Sequence, residues 1–497
     1  MGDPSKATVE LTTRPRCFAP YHRGRVHHIH VRGFVMEGGA SDFHAKFYDH
    51  RSPQVGVLGT RAGRHWVIEN NVIRFGKTLG MDIGTEGDRD ADGLGQRQPR
   101  GAGPHLIRNN RITDNGAGGI QGIRSRGTRI IGNVIERNNR LGFTSPEIGG
   151  IKLHFFESGL IEGNLVRNND CYGIWLDNMW HNARVSRNAV LSNQGVGVFI
   201  EMGFGPLMID NNVIALTRGS TQVSGDGIYS HDASGVTVAH NLVFHNANFG
   251  LWAHIGTDRH PGVYRDGRRI GRRRCESSGW RVVNNLIIGN HGGAVGLPAE
   301  HPRATANHAD DNLYAASYNR WTLETFGDAL DRPVFVLNNN KGRVDREALV
   351  SRFAERLAGA DVPAAERPGM ARWLDLPYLR LDEWRMLTGH DRHSRFAVVL
   401  RTMASTRTPY ISFVIGTAPT ELGCERIDGV QRDYFGNRIE AEPLPGPFQN
   451  LVIEPRADGL PRRTEGRGPF VGLHRPRLNH ITLWPRPEPP AGGPARR

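Results

Sequence analysis

Five short runs of this sequence share one pattern and end in a residue that can carry charge or bind a sugar. They are GIKLH (150–154), GIWLD (173–177), GVFIE (197–201), GIYSH (227–231) and GLWAH (250–254). Small or aliphatic residues alternate with large or charged ones in each run, which is the period of a β-strand. Asp177 and Glu201 occupy the same position in consecutive runs. If these runs stack as neighbouring strands, the two carboxylates lie about 5 Å apart.

A carboxylate pair at that separation is the machinery of a retaining glycosidase. Such enzymes need about 5–5.5 Å between the two carboxyl groups, whereas inverting glycosidases need about 6.5–9.5 Å. Two like charges this close destabilise each other unless one carboxyl is protonated, and a protonated carboxyl is what an acid catalyst supplies. Asp177 and Glu201 therefore predict glycoside hydrolysis by double displacement. A purely structural ion-pair role for the two residues is the alternative.

Other residues of the same strand face extend the predicted site. Four aromatic side chains form a row that could offer platforms to sugar rings, unless a loop covers them: Trp175, Phe199, Tyr229 and Trp252. Four polar side chains are candidate substrate contacts: Lys152, His154, His231 and His254. Glu147, in TSPEIGG just before the first run, is expected at the edge of the cleft.

A second repeated phrase, apolar–x–x–Asn–x–apolar, identifies the elements that position these residues. Its marked asparagines are Asn71, Asn110, Asn133, Asn164, Asn188, Asn212, Asn241 and Asn285. The shortest spacings, 23 and 24 residues, are too short for a βαβ unit and lack a helical period. Short strands in a coil of that length, with asparagine at the turns, indicate a parallel β-helix. The asparagines are therefore interpreted as stacked turn residues, and the fold class as all-β.

The chain resembles glycoside hydrolase family 120, whose members are right-handed parallel β-helix β-xylosidases that retain the anomeric configuration. The likeness rests chiefly on GIWLDN (173–178), FIEMGFGP (199–206) and MIDNNVI (208–214). It extends upstream through PEIGGIKLH and downstream through VAHNLVF, and it covers roughly residues 10–320.

This resemblance implies roles for individual residues. Asp177 corresponds to the nucleophile, Glu201 to the general acid/base, and Glu147 to a glutamate that supports the site. It further implies an exo-acting hydrolase of xylo-oligosaccharides or related β-linked pentosides. The chain departs from the family at Asn178, where an aromatic residue is common, and at Phe204, where histidine is usual. Both departures concern the identity of the sugar.

Changes in composition divide the chain into three predicted parts. They are a parallel β-helix catalytic domain at 10–320, a mixed α/β appendage packed on it at 321–453, and a disordered Pro/Arg-rich tail at 454–497. Within the appendage, 344–359 and 381–390 have the pattern of amphipathic helices, and 396–400 and 410–415 are predicted strands. The tail contains nine Arg and nine Pro against four acidic residues, which is typical of a solvated segment.

The formal charge of +13 carries little information about partners. Arginine supplies 58 of the 63 basic residues, which indicates a codon-composition bias, and no nucleic-acid-binding motif surrounds the basic runs. We therefore expect an oligosaccharide or glycoside substrate and no nucleic acid, while a homo-oligomer stays open. The four cysteines form no CxxC pair, so neither a zinc site nor a disulfide framework is indicated.

Two rival functions stay open at this stage. One is a calcium-dependent polysaccharide lyase acting on a uronate-containing glycan; the other is a solenoid that binds glycans without catalysis. Asp88, Asp90 and Asp92 resemble the first half of a calcium loop, although Pro99 replaces the expected glutamate. The leading hypothesis requires no cofactor. We expect no membrane association and a cytoplasmic location by default, because the sequence has neither a long apolar stretch nor an apolar leader.

Overall fold

The sequence repeats fold into coils of a parallel β-helix, each coil contributing one strand to each of three sheets. In this computed structural model, the described residues are 11–41, 55–85, 101–317, 381–417, 424–455 and 477–485, with Ser5, 335–337 and 378–379. Within those ranges, residues 23, 25, 145–146, 221–223, 267 and 299–302 are not described. The predicted helix at 344–359 and the predicted calcium loop at Asp88–Asp92 therefore lie outside the described residues.

The strands, numbered in chain order, belong to three long sheets. Sheet I contains β1 (His30–Arg32), β4 (Trp66–Glu69), β7 (His105–Arg108), β10 (Arg129–Ile131), β13 (Leu160–Glu162), β16 (Ala183–Ser186), β19 (Leu207–Asp210), β22 (Val236–Ala239), β27 (Arg281–Val283) and β30 (His308–Asp310). Sheet II contains β2 (Val35–Glu37), β5 (Val72–Arg74), β8 (Arg111–Thr113), β11 (Val134–Glu136), β14 (Leu165–Arg167), β17 (Ala189–Leu191), β20 (Val213–Ala215), β23 (Leu242–Phe244), β28 (Leu286–Ile288), β31 (Leu313–Ser317), β34 (Arg395–Ser405), β35 (Tyr410–Thr417), β36 (Ile453–Pro455) and β37 (Asn479–Thr482). Sheet III contains β3 (Gly56–Gly59), β6 (Leu79–Asp82), β9 (Gly118–Ile123), β12 (Gly149–His154), β15 (Tyr172–Asp177), β18 (Val198–Gly203), β21 (Ile228–Ala233), β24 (Phe249–His254), β29 (Gly293–Leu297), β32 (Phe335–Leu337) and β33 (Tyr378–Leu379).

Asparagine ladders connect the coils at the turn between sheets I and II. The side-chain amide of Asn164 donates to Oδ1 of Asn188 at 2.9 Å, and that of Asn188 donates to Asn212 at 2.9 Å. The backbone N–H of each residue donates to the same neighbouring oxygen, for example Asn188 N to Asn212 Oδ1 at 2.9 Å. These asparagines are fully buried. The ladders satisfy polar groups that the turns would otherwise bury without partners, as the repeat predicts.

The inward face of sheet III is an apolar stack that fixes the register of the coils. Ile151, Ile174, Val198, Ile228 and Leu251 are paired in series along consecutive strands, and all are buried in the main core. Burying such side chains stabilises the fold by roughly 1.5–3 kcal/mol each. A slip of one residue would move this stack outward, so the alternation determines which side chains face away from the core.

The C-terminal strands continue sheet II instead of forming a separate body. Strand β31 pairs with β34 in parallel, and β34 and β35 then form an antiparallel hairpin, as the predicted strands at 396–400 and 410–415 require. This hairpin packs against the outer face of sheet II, where Phe413 joins Leu191 and Phe244 in one cluster. The turn of the hairpin reaches back to β14, where the guanidinium of Arg167 donates to the carbonyl of Thr406.

Two sequence predictions in this region are tested directly. Helix α1 (Leu381–Thr388) confirms the predicted helix at 381–390, shortened by two residues. The predicted disordered tail from 454 is wrong for part of its length, because Asn479–Thr482 forms β37 and pairs with β35. Apolar Ile481 and Leu483 contribute to the cluster over sheet II, which gives this segment a reason to fold. Within the described residues, the structure contains no helix with the length and apolar character needed to cross a membrane.

Candidate active site

The five runs with candidate site residues lie side by side on sheet III, as strands β12, β15, β18, β21 and β24. The register pairs His154 with Asp177 and Glu201 with His231. Strands β15 and β18 are paired through Leu176 and Ile200, so the next residues along them, Asp177 and Glu201, lie on neighbouring strands. The parallel strands therefore bring these side chains together on the outer face of sheet III, as the 24-residue spacing predicts.

Asp177 belongs to a buried cluster of two carboxylates and two cationic groups. The Lys152 ammonium donates to Asp177 Oδ2 at 2.6 Å and lies 3.0 Å from Glu147 Oε2. His154 Nε2 lies 2.5 Å from the same Glu147 oxygen, and its Nδ1 lies 3.6 Å from Asp177 Oδ2. The side-chain amide of Asn178 contacts His154 Nδ1 at 3.0 Å. Glu147, which the sequence placed at the cleft edge, is thus buried beside the predicted nucleophile.

The charges of this cluster shift the protonation equilibria of its members. Burial raises the pKa of Glu147, but the adjacent His154 and Lys152 outweigh it and hold that pKa below its ordinary value. Burial also opposes a charged imidazole at His154, yet the Glu147 carboxylate outweighs it and raises the pKa of His154. The cluster therefore favours an ionised Glu147 beside a protonated His154. Lys152 and His154 balance the two carboxylates, which lowers the cost of burying them.

Glu201 occupies a different electrostatic environment from that of Asp177. Burial raises the pKa of Glu201, and the neighbouring Asp177 raises it further. Arg259 Nη2 lies 3.2 Å from Glu201 Oε1, and His231 Nε2 lies 3.5 Å from the same oxygen. These two groups act in the opposite direction on the pKa, but the shift stays upward. Asp177 is thus a carboxylate that accepts a hydrogen bond from Lys152, whereas Glu201 keeps its proton to a higher pH than an ordinary glutamate.

Arg259 and Asp232 are site residues that the sequence patterns did not indicate. Asp232 accepts hydrogen bonds from the backbone N–H groups of Gly256 and Thr257, at 2.9 and 3.1 Å, and lies 3.0 Å from His231 Nδ1. These hydrogen bonds and the contact with His231 hold the pKa of Asp232 at about 2, although burial alone would raise it. Asp232 thereby fixes the start of the segment that carries Arg259. The one sequence feature that could have indicated Arg259 is the long insertion after GLWAH (250–254), which contains it.

The aromatic row differs from the open set of platforms that the sequence predicted. Trp175 and Phe199 are only 4% and 5% exposed, and their rings stack on each other with centroids 4.7 Å apart. Tyr172 packs edge-on against both rings, and the Lys152 ammonium lies 3.0 Å from the centre of the Trp175 ring. The faces of Trp175 and Phe199 are therefore occupied by protein groups, which removes them as flat surfaces for a sugar.

The remaining members of the row are less buried. Tyr229 and Trp252 are half-buried, and the Tyr229 hydroxyl hydrogen-bonds with His254 Nε2 at 2.9 Å. Trp252 packs edge-on against Phe249, with ring centroids 4.2 Å apart. These residues retain accessible edges, so a contact with a ligand is open to them.

Two polar atoms beside the predicted nucleophile are buried and have no hydrogen-bond partner among the described residues. They are Oδ1 of Asp177 and the indole Nε1 of Trp175. An unsatisfied buried polar atom costs about 1–3 kcal/mol, so each requires an explanation. A bound molecule with hydroxyl groups would satisfy both, because a hydroxyl can donate to the carboxylate and accept from the indole.

The geometry of the cluster also bears on metal binding. Glu147, His154 and Asp177 offer ligand atoms within 4.8 Å of one another, which would be close enough for a metal ion. However, the Lys152 ammonium already contacts both carboxylates at 2.6 and 3.0 Å. The lysine therefore supplies the positive charge that an ion would supply, and the donor set does not favour a metal at this position.

Comparison with known proteins is consistent with this architecture. A family model described as "Right handed beta helix region" matches residues 55–225. The solved structure of XylC with xylose has a TM-score of 0.59, with 17% identity over 95% of this chain and 68% of that chain. The chain is therefore a right-handed parallel β-helix protein. The fold implied by the resemblance to glycoside hydrolase family 120 is confirmed.

Other solved structures share less with the chain. The periplasmic alginate epimerase AlgG has a TM-score of 0.28 and 13% identity, covering 50% of this chain and 71% of that chain. The A-module of the mannuronan C-5 epimerase AlgE4 of Azotobacter vinelandii has a TM-score of 0.26 and 13% identity, covering 65% and 78%. Among curated proteins, none matches this sequence.

Proposed function

We propose that this chain is a retaining glycoside hydrolase that acts on β-linked xylo-oligosaccharides or related pentosides. The observation that carries the proposal is the carboxyl pair on β15 and β18, whose members have unlike surroundings. Asp177 accepts a hydrogen bond from Lys152, whereas the pKa of Glu201 is raised by burial and by Asp177. This is the division of labour that a nucleophile and an acid/base catalyst require. The likeness in fold to XylC, solved with xylose, suggests the choice of sugar.

The proposed reaction proceeds by two displacements at the anomeric carbon. In the first, the Asp177 carboxylate forms a bond to that carbon while Glu201 transfers its proton to the departing glycosidic oxygen. In the second, Glu201 accepts a proton from water, and the water oxygen displaces Asp177 from the anomeric carbon. Each displacement inverts the configuration, so the released sugar retains the original one.

The surrounding residues have distinct supporting roles in this proposal. Lys152 and His154 neutralise the buried Glu147 and hold Asp177 in place through a 2.6 Å hydrogen bond and a 3.6 Å contact. Arg259 and His231 orient Glu201 from the other side. The accessible edges of Tyr229 and Trp252 are proposed to contact the substrate, and the buried His254 supports Tyr229 through the hydrogen bond with its hydroxyl. The indole N–H of Trp175 is proposed to donate to a substrate hydroxyl.

The rival lyase mechanism fits this site less well. A lyase needs an unprotonated base to abstract a proton next to the uronate carboxylate. The raised pKa of His154 favours its protonated form, and Lys152 donates to Asp177. The two candidate bases near Asp177, Lys152 and His154, are therefore both paired with carboxylates. Absorbance from an unsaturated uronide product would nevertheless identify a lyase directly.

A panel of aryl glycosides on the purified protein tests the proposal. We expect turnover of an aryl β-xyloside with retention of configuration, and a loss of about 10³–10⁴-fold in Asp177→Asn, because the nucleophile is removed. Glu201→Gln should lose activity most on poor leaving groups, which need the proton, and least on a dinitrophenyl leaving group. Asp170→Asn, at an exposed carboxylate before β15, is the matched control and should behave as the wild type.

Three results would contradict the assignment. Turnover that survives in Asp177→Asn would exclude Asp177 as the nucleophile. Inverted product would exclude the double displacement. Glycan binding without turnover of any glycoside would favour a non-catalytic solenoid.

A further inference from the structure

One connection on the site side of the solenoid is much longer than its equivalents. After β12 and after β15, five residues lead to the next strand of sheet I, namely 155–159 and 178–182. After β24, residues 255–280 intervene before β27. This excursion contains its own antiparallel hairpin, formed by β25 (Gly262–Arg265) and β26 (Arg268–Arg272). Such an insertion on a constant coil is where repeat proteins place binding elements.

The excursion runs back along the ends of the site strands. At the hairpin turn, the backbone N–H of Asp266 donates to Glu157 Oε1 at 2.7 Å, and Arg126 forms an ion pair with the Asp266 carboxylate. Glu157 lies just after β12, four strands away from β24, so the excursion extends about 19 Å along the solenoid before it turns back. Cys275 on the return path packs with Met179, two residues after the end of β15, and with Met202, which follows Glu201 in β18.

The same segment begins inside the candidate site. Asp232 on β21 holds the N–H groups of Gly256 and Thr257, and Arg259 then contacts Glu201 at 3.2 Å. The excursion is thus anchored at Glu201 at one end and at Glu157 at the hairpin turn. It follows that the hairpin forms a wall along the edge of the site face, within reach of a ligand longer than one sugar.

The charge of this wall is one-sided. Residues 255–280 contain seven arginines and three acidic residues. All three acids are paired, as Asp258–Arg274, Asp266–Arg126 and Glu276–Arg273. Within the described part of the chain, the exposed Arg265, Arg269 and Arg272 have no carboxylate at ion-pair distance. Their guanidinium groups present planar donor sets suited to carboxylates.

We propose that the 255–280 excursion, with its hairpin, is a subsite for the carboxylate of an acidic substituent on the glycan substrate, such as a uronic acid side group. The inference rests on the proposed glycosidase function and deepens it. A neutral xylo-oligosaccharide would contact only the site around Asp177 and Glu201. A uronate-bearing oligosaccharide would also contact the arginines of the wall. The positive charge of the wall would further steer acidic glycans toward the site at low salt.

Affinity measured without turnover tests this proposal. The Asp177→Asn protein is titrated calorimetrically with a xylo-oligosaccharide carrying one glucuronic acid side group, and with the unsubstituted oligosaccharide of the same length. Arg265→Ser, Arg269→Ser and Arg272→Ser are then combined in that background. We expect the triple change to weaken binding of the acidic ligand about tenfold, since exposed ion pairs contribute modestly, and to leave the neutral ligand unchanged. The ratio of the affinities for the acidic and the neutral ligand should also fall as the salt concentration rises.

A second triple variant controls for the loss of three positive charges. Arg426→Ser, Arg432→Ser and Arg438→Ser remove exposed arginines from the C-terminal segment, and these changes should alter neither affinity. The proposal would be overturned if the Asp177→Asn protein, with its arginines intact, bound both ligands with equal affinity. It would also be overturned if the two triple variants lost the same affinity for the acidic ligand. Competition by heparin or polyphosphate as strong as by the acidic oligosaccharide would also overturn it. Turnover of neutral aryl glycosides is scored separately, so failure of the glycosidase function is recognised independently.

Discussion

The outer faces of sheets II and III each contain a buried region, and the two regions are buried by opposite means. On sheet II the outward residues from β17 to β31 are apolar, among them Leu191, Ala215 and Phe244, and Phe413 of the C-terminal hairpin packs in the same cluster. On sheet III the outward residues include Lys152 and charged partners that contact one another within 2.5–3.6 Å. The same coil therefore supports either a packing surface or a charged site, depending only on which residues alternate outward.

The two faces differ in how they contribute to the stability of the fold. Apolar burial on sheet II contributes about 25 cal/mol per Å² of surface removed from water. Burying Glu147, Asp177, Lys152 and His154 costs desolvation, which their mutual attraction offsets only while every partner is present. A charge cluster of this kind is weak evidence for stability and stronger evidence for function. Substitutions on the two faces should accordingly separate stability from activity.

The largest effect is expected for Lys152→Met, which removes a buried cation from the sheet III cluster. Breaking a buried ion pair leaves uncompensated charge, so the free energy of unfolding at pH 7 should fall by about 3–5 kcal/mol. Turnover should fall as well, because Asp177 loses its 2.6 Å hydrogen bond. Denaturant unfolding followed by fluorescence, with assays on the folded fraction, measures both effects.

The pH dependence sharpens this prediction. The pKa of Glu147 is lowered in the folded protein, so its contribution to stability is present above its ordinary pKa of 4.5 and is lost as the pH falls through the lowered value. The difference between wild type and Lys152→Met should therefore narrow below about pH 4.5. Lys77→Met, at an exposed position, is the control and should change stability by less than about 0.5 kcal/mol. An unchanged unfolding midpoint in Lys152→Met would show that the cluster does not depend on this lysine.

A smaller effect with the opposite pattern is expected for Phe413→Ala on the covered face of sheet II. Truncating a fully buried phenylalanine leaves a cavity in the cluster with Phe244, so stability should fall by about 3 kcal/mol. The turnover number of the folded protein should stay within about twofold of wild type, because the hairpin covers a different sheet from the site. Leu478→Ala, at an exposed leucine in the same C-terminal segment, serves as the control. A loss of turnover at full folding would mean that the two faces are coupled.

The smallest effect concerns the pH profile of the site itself. The pKa of Glu201 is raised by burial and by Asp177, while His231, Lys152 and Arg259 act to lower it. If Glu201 donates the proton, kcat/KM falls as the pH rises through that pKa, so the alkaline limb should lie above pH 4.5. Arg259→Met removes one lowering charge, and the limb should move to higher pH. The profile is measured on a neutral aryl glycoside.

Arg269→Met provides the matched control for that experiment. Arg269 is exposed on the same excursion, and its guanidinium donates to the carbonyl of Gly271. Its removal should leave the alkaline limb where it is in the wild type. A limb that moves equally in both variants would indicate a general field effect, and a limb that moves to lower pH in Arg259→Met would contradict the role of Arg259 beside Glu201.

Much of the fold could be predicted from the sequence, because it depends on short-range patterns. The asparagine phrase and the strand alternation are both local, and a coil of constant length turns them into ladders and a core. The same constant length places Asp177 and Glu201 on adjacent strands. The C-terminal strand over sheet II at Asn479–Thr482 was missed, since a Pro/Arg-rich composition conceals four residues that pair with a distant strand.

What the sequence determined by itself was therefore the coil, its phase and the outward face that carries the carboxylates. Only the tertiary structure decided that Lys152 joins Glu147 to Asp177, that Trp175 stacks on Phe199, and that Arg259 reaches Glu201. The physical reason is that periodicity specifies backbone positions, whereas side-chain contacts between a loop and a sheet depend on how the connecting segment packs. The insertion of 26 residues at 255–280 has no sequence period, so only the structure shows which strands it packs against.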